Sequence, residues 1–458
     1  MRKTLGLLAS VILLLFLVTA CGGDGGEASS TASPSGSSAA PAASGAPQGG
    51  ETGREPVTIQ FWHIFTDGPA KDLYNQLIDD FQKQYDWITV EQLAANFFDY
   101  GAKISTALAG GSGPDIALAG TGDQTFHDRA RANAILQLDP FIQRDNWDMN
   151  QYFPVLTERV KFNGAYYQMP LETDVRVLYY NKKMFREAGL DPDKPPTNWA
   201  ELEQYAEKLT KWNDKNMLEQ IGFAPALGNL GFWTLAWTNG AEFFDAEGNP
   251  TIDTPEALEA LEFWIRMQNK YGDKAFSAFQ TQAGSLGYSP FIGEKVAMIV
   301  DVNYLMEEIE VYNPDLEYGI APIPYQKKPA SWSAGWSLEL VDNKDPRKAD
   351  AAWELMKYLT GKDVQMRIRQ TFNSLVANQE AAMAPEFMND PNWKIVVEQM
   401  QHSRFLPLPE EALSWASFLN KNLEAAMHGG MTPKQALEKT QRETEQEIAN
   451  YRKTHGGK

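Results

Sequence analysis

Cysteine is almost absent from this sequence: its 458 residues contain one, Cys21. A lone cysteine cannot form an internal disulfide, so disulfide bonds and thiol chemistry are excluded from the chain that follows it. Its position indicates another use. Arg2 and Lys3 precede an apolar run at residues 5–20, which leads directly to the cysteine. A basic start, a short apolar run and small residues at its exit are typical of an export signal, which we place at residues 1–20.

The tetrapeptide Val18-Thr19-Ala20-Cys21 resembles a bacterial lipobox. The resemblance implies cleavage before Cys21 and diacylation of that residue, which would anchor the protein to the outer face of the cytoplasmic membrane. Burial of an acyl chain contributes about 0.8 kcal/mol per methylene, and one chain alone anchors only marginally. The alternative is an ordinary signal peptide with an incidental cysteine.

Large apolar residues are missing from the segment that follows. Residues 21–56 consist mainly of Gly, Ser, Ala, Pro and Thr, which cannot bury enough surface to offset the entropy of folding. We expect a flexible tether with an end-to-end distance of about 30–35 Å. A long tether on a lipid-anchored protein suits a Gram-positive envelope, where the folded part must stand off the membrane.

Positive charge is in the minority, with 41 Lys and Arg against 60 Asp and Glu and a formal charge of −19. Such a chain repels nucleic acid, which is not expected as a partner. No apolar run after residue 20 approaches membrane-spanning length. The five histidines show no metal-binding spacing, and neither a Gly-x-Ser-x-Gly motif nor a P-loop is present. We therefore predict no metal and no cofactor. Residues 245–249 faintly resemble a calcium loop, and a turn explains them better.

Aromatic residues, by contrast, make up 12% of the chain. Several tryptophans stand beside Gly, Asn, Asp or Pro instead of within periodic apolar stripes, among them Trp62, Trp233, Trp237, Trp332 and Trp336. The CH-rich face of a sugar stacks on an aromatic ring, while its hydroxyls bond to carboxylates and amides. These positions favour a sugar-binding protein, and their number favours an oligosaccharide. The alternative is that each tryptophan anchors a hydrophobic core.

The remaining chain, about 400 residues, exceeds the usual size of a single core and predicts two domains. Strand patterns alternate with helix patterns, which predicts an α/β fold with a largely parallel sheet. Strands are predicted at 57–62, 116–119 and 296–300. Helices are predicted from Pro69 onward and at 415–427, among others.

Several stretches carry a resemblance to a known family. They are Gly113-Pro114-Asp115-Ile116, YYQMPLETDVRVLYYNKKMFREAGL at 166–190, PPTNWAELEQYAEKLT at 195–210, FIGEKVAMIVDV at 291–302, YGIAPIP at 318–324 and MTPKQALEKTQRETEQE at 431–447. In order and spacing they resemble the extracellular solute-binding proteins of ABC importers, in the carbohydrate-binding branch that includes maltose-binding protein. The resemblance implies a two-lobe periplasmic-binding-protein-like α/β fold with about three chain crossings, a sugar in the cleft between the lobes and delivery to a membrane permease. We expect a monomer that is not an enzyme.

Mapped onto this sequence, the resemblance implies bounds for each lobe. One lobe would comprise residues 57–171 and 336–371, and the other 175–326 and 374–458. The hinge crossings would be 172–174, 327–335 and 372–373.

Ligands of open α/β sheets bind beyond the carboxyl ends of the strands. Side chains suited to sugars follow three predicted strands at such positions: Trp62, Phe65 and Asp67, then Asp123, and then Asp301 and Asn303. We expect these to contact the ligand. His63 is expected to pack at its strand end instead.

The resemblance adds ligand-contacting positions elsewhere: Glu172, Thr173, Asp174, Asn229, Trp233, Trp332, Trp336 and Arg404. Glu172, Thr173 and Asp174 would lie at the first crossing, where three consecutive polar residues are costly to bury without partners. A wet cleft and sugar hydroxyls would satisfy them. The alternative is that they are structural partners of the crossing.

Two other classes of protein fit many of the same residues. A secreted glycoside hydrolase would combine the aromatics with two carboxylates about 5–9.5 Å apart, and the acidic residues are too many to exclude such a pair. A carbohydrate-binding surface lipoprotein would need no closing cleft. The order of the motifs favours the solute-binding protein.

Replacing Cys21 tests the anchor. Cys21→Ala should release the protein from the membrane or leave it misprocessed, because the acyl chains have no other attachment site. Cell fractionation measures this. A soluble form that starts near Gly53 is the control and should keep the ligand affinity of the full chain. Loss of binding in that form would contradict a purely anchoring role for the segment.

Overall fold

The computed structural model describes residues 55–123, 125–372 and 374–456. The predicted export signal, Cys21 and the tether up to residue 54 lie outside the described residues. The described chain contains these strands: β1 (Val57–His63), β2 (Ile88–Ala94), β3 (Ile116–Gly120), β4 (Lys161–Phe162), β5 (Ala165–Tyr166), β6 (Gln168–Thr173), β7 (Arg176–Asn181), β8 (Lys211–Trp212), β9 (Leu218–Gln220), β10 (Met298–Val302), β11 (Tyr318–Ala321), β12 (Ser331–Trp332), β13 (Gly335–Leu340), β14 (Leu375–Val376) and β15 (Ser403–Arg404).

Helices connect the strands and cover the sheets. They are α1 (Gly68–Gln84), α2 (Phe97–Ala109), α3 (Phe126–Arg131), α4 (Asp139–Asp145), α5 (Pro154–Arg159), α6 (Lys182–Glu187), α7 (Trp199–Leu209), α8 (Phe232–Thr238), α9 (Pro255–Asn269), α10 (Asp273–Gly284), α11 (Leu305–Tyr312), α12 (Pro346–Thr360), α13 (Lys362–Thr371), α14 (Gln379–Ala382), α15 (Pro385–Met388), α16 (Pro391–Met400), α17 (Trp415–Met427) and α18 (Pro433–His455).

Local sequence signals explain where several helices begin. Helix α1 has a proline in its first turn and buries Leu73, Leu77 and Phe81 on one face. Helix α18 starts with a complete capping box between Thr432 and Gln435. These ends are therefore fixed by residues close in sequence, which is why the pattern predicts them.

Two sheets form the centres of two lobes. The first sheet has the strand order β14-β6-β13-β3-β1-β2, and the second has the order β10-β7-β11. Strand β1 runs parallel to β2 and β3, whereas β13 runs antiparallel to β3 and β6. The two-lobe α/β fold expected from the sequence is confirmed. The prediction of a largely parallel sheet is wrong, because three of the five strand pairings in the first sheet and both pairings in the second are antiparallel.

Strand β7 is buried on both faces and separates two hydrophobic cores. Its alternate residues Val177 and Tyr179 belong to a core that continues into the first lobe. Leu178 and Tyr180 point to a second core, formed mainly by α7, α8, α9 and α17. The period of two in a strand places neighbouring residues on opposite faces.

The first passage between the sheets lies at residues 174–175, between β6 and β7. The predicted crossing at 172–174 is corrected, because Glu172 and Thr173 belong to β6 and pair with β13 and β14. The return passage precedes β13 and follows β12. Strand β12 is still attached to the second lobe, since the Arg176 N–H donates to the Ser331 hydroxyl at 3.0 Å.

The third passage lies later than the predicted 372–373, of which Asn373 is outside the described residues. Strand β14 pairs with β6 and extends the first sheet, although the sequence assigned residues 374–458 to the second lobe. The chain reaches the second lobe with α16, which packs against β7 and β11. A two-residue strand carries too little alternation to be recognised from the sequence.

A glycine at the return passage tests the close approach of these strands. Gly335 has φ +144°, and a Cβ atom there would lie 2.4 Å from the Glu172 carbonyl oxygen. Gly335→Ala should therefore lower the free energy of unfolding by about 1–3 kcal/mol. Chemical denaturation measures the change. Gly101→Ala is the matched control, because a Cβ there meets nothing within 4 Å and alanine favours a helix. Equal stability of the two variants would contradict the strain.

Candidate ligand-binding cleft

A pocket of about 220 Å³ lies between the lobes, beside the return passage. Its walls come from the loop after β3 and the end of α5 in the first lobe, and from the segments after β15 and at the start of α17 in the second. The lining residues are Gly120, Thr121, Gly122, Asp123, Arg159, Trp332, Ser333, Ala334, Gly335, Phe405, Leu406, Pro407, Leu408, Trp415 and Ala416. The carboxyl end of β3 is thus at the cleft, as the strand-end rule predicts.

Two tryptophans form an aromatic pair on the second-lobe side. The rings of Trp233 and Trp332 meet edge to face, with 4.9 Å between centroids. The Arg176 guanidinium lies 3.8 Å from the centroid of the Trp332 ring. Both tryptophans are half-buried. The structure thus brings together two candidate residues that are 99 positions apart in the sequence.

A second aromatic group lies on the first lobe. Trp336 meets Phe97 edge to face at 5.9 Å, and Phe97 meets Phe98 at 5.4 Å. Phe97 is 60% exposed and Phe98 is 77% exposed, which is unusual for phenylalanine. We did not select these two residues from the sequence. The available signal was their place just after β2, whose carboxyl end lies beside that of β1.

Polar side chains at the first passage have partners within the protein. The Ser374 hydroxyl donates to the Glu172 carboxylate at 2.6 Å, and burial raises the pKa of Glu172 to about 7. The Thr173 hydroxyl donates to the Ala334 carbonyl at 2.7 Å. Asp174 accepts a hydrogen bond from the Ala334 N–H at 2.7 Å and pairs with Arg176.

Asp301 and Asn229 meet at the carboxyl end of β10. The Asn229 side-chain amide donates to Asp301 at 3.1 Å, and the Val302 N–H donates at 2.8 Å. Burial raises the pKa of the Asp301 carboxyl. Asn229 itself is exposed, so this pair has an open side.

Two further candidate residues form ion pairs. Asp123 pairs with Arg129 at 3.3 Å, and Arg129 also binds the buried Glu339 at 2.5 Å. Arg404 donates to Glu242 at 3.0 Å, and its guanidinium lies 4.9 Å from the Trp237 ring. In each pair the partner fixes the orientation of the candidate side chain, Asp123 or Arg404.

Side chains after β1 pack more than the sequence suggested. Phe65 is 8% exposed and stacks on Tyr74 at 3.8 Å. Trp62 is also 8% exposed, and Lys103 Nζ lies 5.7 Å from its ring centroid. His63 is buried among these rings, as expected. Asp67 is exposed at the N-cap of α1, with no side-chain capping bond.

Three predicted ligand contacts already have partners within the protein. Phe65, Thr173 and Asn303 are buried, and their faces or polar atoms are taken by other parts of the protein. The Asn303 side-chain oxygen accepts from the Val175 N–H at 3.0 Å, which makes it a partner of the first passage. Contact with a ligand stays a prediction for these three and for the other candidate residues.

Residues 55–123, 125–372 and 374–456 contain no group of three His, Cys, Asp or Glu side chains placed to hold a metal ion. Within the same ranges, no helix combines the length and hydropathy that a bilayer crossing requires. At residues 245–249, Asp245 accepts from the Glu247 and Asn249 N–H groups, which is a turn.

Two α/β lobes, joined by passages of the chain and enclosing a pocket, define a two-lobed solute-binding protein. The chain belongs to the family of bacterial extracellular solute-binding proteins, whose family model matches residues 67–366. This confirms the family expected from the sequence.

Similar proteins have related names. A putative binding protein of Brucella abortus is 23% identical over 312 residues, which are 67% of this chain and 72% of its own. A putative ABC transporter periplasmic-binding protein of Escherichia coli is 26% identical over 323 residues, 68% of this chain and 71% of its own. Among solved structures, CpMnBP1 with mannotriose bound is 28% identical, with a TM-score of 0.72, and the match covers 85% of this chain and 100% of that one.

The raised pKa of Glu172 predicts a pH dependence of stability. The folded protein holds this proton up to about pH 7, whereas an unfolded carboxyl loses it near 4.5. Folding stability from this group is therefore complete below the unfolded pKa and falls as the pH rises from about 4.5 to 7. Glu172→Gln should remove that fall, at about 1.4 kcal/mol per unit of pKa shift. Denaturation between pH 4.5 and 8 measures it.

His63 has the opposite effect on folding stability. Burial lowers its pKa to about 4, so its contribution to stability is lost as the pH falls towards that value. His63 is present in the wild type and in Glu172→Gln alike. The difference between their stability profiles therefore reports the effect of the Glu172 carboxyl alone. Glu91→Gln, at an exposed position of β2, should keep the wild-type profile. Parallel profiles for wild type and Glu172→Gln would show that Glu172 is not held in its neutral form.

Proposed function

We propose that this protein captures an uncharged oligosaccharide in the cleft between its lobes and delivers it to the permease of an ABC importer. The observation that carries the proposal is that Trp332 lines the pocket between the lobes and meets Trp233, while Trp336, next to the pocket residue Gly335, meets Phe97 of the first lobe. Trp233 and Trp332 lie on the side of the second lobe, and Trp336 and Phe97 lie on the first. Rings on both sides suit an extended ligand, since each sugar ring needs its own stacking surface.

The polar groups of the cleft support a sugar as the solute. Asp123, Asp301 and Asn229 offer carboxylate and amide atoms for hydroxyl groups. Family membership supports transport as the role. Two solved structures of CpMnBP1, 28% and 27% identical to this chain, carry mannotriose and mannobiose, so mannose oligosaccharides are the first ligands to test.

In this proposal binding is coupled to closure of the cleft. A solute that contacts both lobes favours the closed form over the open form by its extra contacts there. The passages at 174–175 and before β13 would bend, while the sheets move as rigid bodies. The permease would then recognise the closed pair of lobes.

A hydrolase fits the cleft less well. Glycoside hydrolysis requires one carboxyl group as acid and a second carboxylate as base or nucleophile. Asp174 and Asp123 are each paired with an arginine, and Asp301 accepts two hydrogen bonds. Glu172 is 5% exposed and bonded to Ser374. Because each of these carboxyl groups already has a partner within the protein, the arrangement supports sugar binding better than catalysis.

The location of the protein follows from the N-terminal sequence. We infer export, acylation of Cys21 and a tether at residues 21–56 that lets a monomeric binding unit reach the permease. A Gram-positive envelope is the setting that this arrangement suits.

Tryptophans of the two lobes test the proposal together. Trp233→Ala and Trp336→Ala should each weaken binding of mannotriose about tenfold, since an aromatic contact contributes on the order of 1 kcal/mol beyond its buried area. Isothermal titration calorimetry against mannobiose, mannotriose, maltose and maltotriose measures the affinities. Trp212→Ala is the control, because Trp212 is 39% exposed in the β8–β9 hairpin and lies outside the cleft.

Failure of the wild type to bind any sugar of this panel would overturn the proposed ligand class. Release of reducing ends from the same sugars would instead support the hydrolase.

A further inference from the structure

One arginine of the cleft pocket has no hydrogen-bonding partner among residues 55–123, 125–372 and 374–456. Arg159 is the last residue of α5 and lines the pocket opposite Phe405, whose ring centroid is 5.2 Å from the guanidinium carbon. Its Nε atom is buried and unbonded. Among the described residues, no carboxylate lies within ion-pair distance of Arg159.

The arginine of the neighbouring helix shows the contrast. Arg129 in α3 binds Glu339 at 2.5 Å and Asp123 at 3.3 Å, so its charge is matched within the protein. Arg159 lies against the face of Phe405 and is influenced by the charge of Asp123 without forming an ion pair with it. Removing a guanidinium from water without giving it acceptors costs free energy. Burial accordingly lowers the pKa of Arg159 to about 10, which leaves it charged at neutral pH.

The backbone holds Arg159 in this position. Gly122 has φ +53°, and a Cβ atom there would lie 2.6 Å from Arg159 Nε. The side chain therefore lies directly on the loop that carries Asp123. Close packing of this kind fixes the side chain in place but gives its buried Nε atom no acceptor.

We propose that Arg159 is a solute-binding residue whose guanidinium donates hydrogen bonds to a hydroxyl of an uncharged sugar, beside Asp123 as the acceptor for an adjacent hydroxyl. The inference rests on the proposed function and adds a contact from the first lobe. The charges around Arg159 indicate whether the proposed ligand is a neutral or an acidic sugar. Asp123 and Glu339 equal Arg129 and Arg159 in number of formal charges, so the group as a whole needs no further anion although neither carboxylate is paired with Arg159.

The test measures two properties of Arg159→Met that should change in opposite directions: the melting temperature should rise and the sugar affinity should fall. Arg159→Met keeps the apolar stem and removes the unmatched charge, so the ligand-free protein should melt higher by on the order of 2 °C. Its affinity for mannotriose, or for whichever panel sugar binds the wild type, should fall about tenfold or more. Arg129→Met is the matched control. It should melt lower, because it leaves Glu339 buried without its cation.

Arg159→Lys separates charge from geometry. It keeps the charge, so the melting temperature should stay near that of the wild type, but it loses the forked donors and should recover only part of the affinity. Digalacturonate is included beside the neutral sugars. Binding of digalacturonate alone would overturn the choice of an uncharged ligand.

Each outcome decides the inference. A lower melting temperature for ligand-free Arg159→Met, or unchanged sugar affinity, would overturn it, because the arginine would then be structural. If no panel sugar binds the wild type, the proposed function fails. The melting temperature of Arg159→Met still decides in that case: a rise supports an unmatched guanidinium kept for a solute, and a fall rejects it.

Discussion

The placement of both lobes depends on hydrogen bonds that tie two passages of the chain together around Asp174. Its carboxylate accepts from the Ala334 N–H at 2.7 Å and pairs with Arg176, and its carbonyl accepts from the Ser333 hydroxyl at 2.6 Å. The Thr173 hydroxyl returns a bond to the Ala334 carbonyl. Because these residues belong to the outgoing and returning passages, the two passages are held as one connection. Hinge bending would then move the lobes about a shared axis instead of two independent ones.

The same connection reaches the aromatic surface of the cleft. Arg176 pairs with Asp174 on one side and lies over the Trp332 ring on the other, at 3.8 Å from its centroid. Trp332 in turn meets Trp233. A solute that contacts this tryptophan pair would therefore act on groups that also fix the hinge. In the proposed function, solute binding and the angle between the lobes would be linked through this short chain of contacts.

Much of the fold was predictable because the signals are local. The predicted helix at 415–427 has the bounds of α17, and the predicted strand at 116–119 is β3 with one residue less. Periodic apolar residues and caps suffice for such elements. Strand β14 was missed, because its two residues are defined only by pairing with β6.

The candidate site was predictable in outline and less so in detail. The strand-end rule selects the loop that carries Asp123, yet it also selected Phe65, whose ring is stacked on Tyr74. The sequence gives the position of a side chain along a strand, but it does not show which other side chains pack against it. The absence of a partner for Arg159 is a tertiary property of the same kind. It depends on where carboxylates from distant segments lie, and one sequence does not reveal that.

The charges around the cleft explain how an acidic protein can offer a neutral binding surface. The chain carries a formal charge of −19, yet at the cleft Asp123, Asp174 and Glu242 are each paired with an arginine. Paired charges are fixed in direction, so a sugar hydroxyl would meet donors and acceptors that need little reorganisation. Arg159 lies near these ion pairs but has no paired carboxylate among the described residues, and this arrangement does not stabilise the fold. A binding surface does require some polar group to be left unsatisfied until the solute arrives, because a surface satisfied throughout would gain nothing by closing on it.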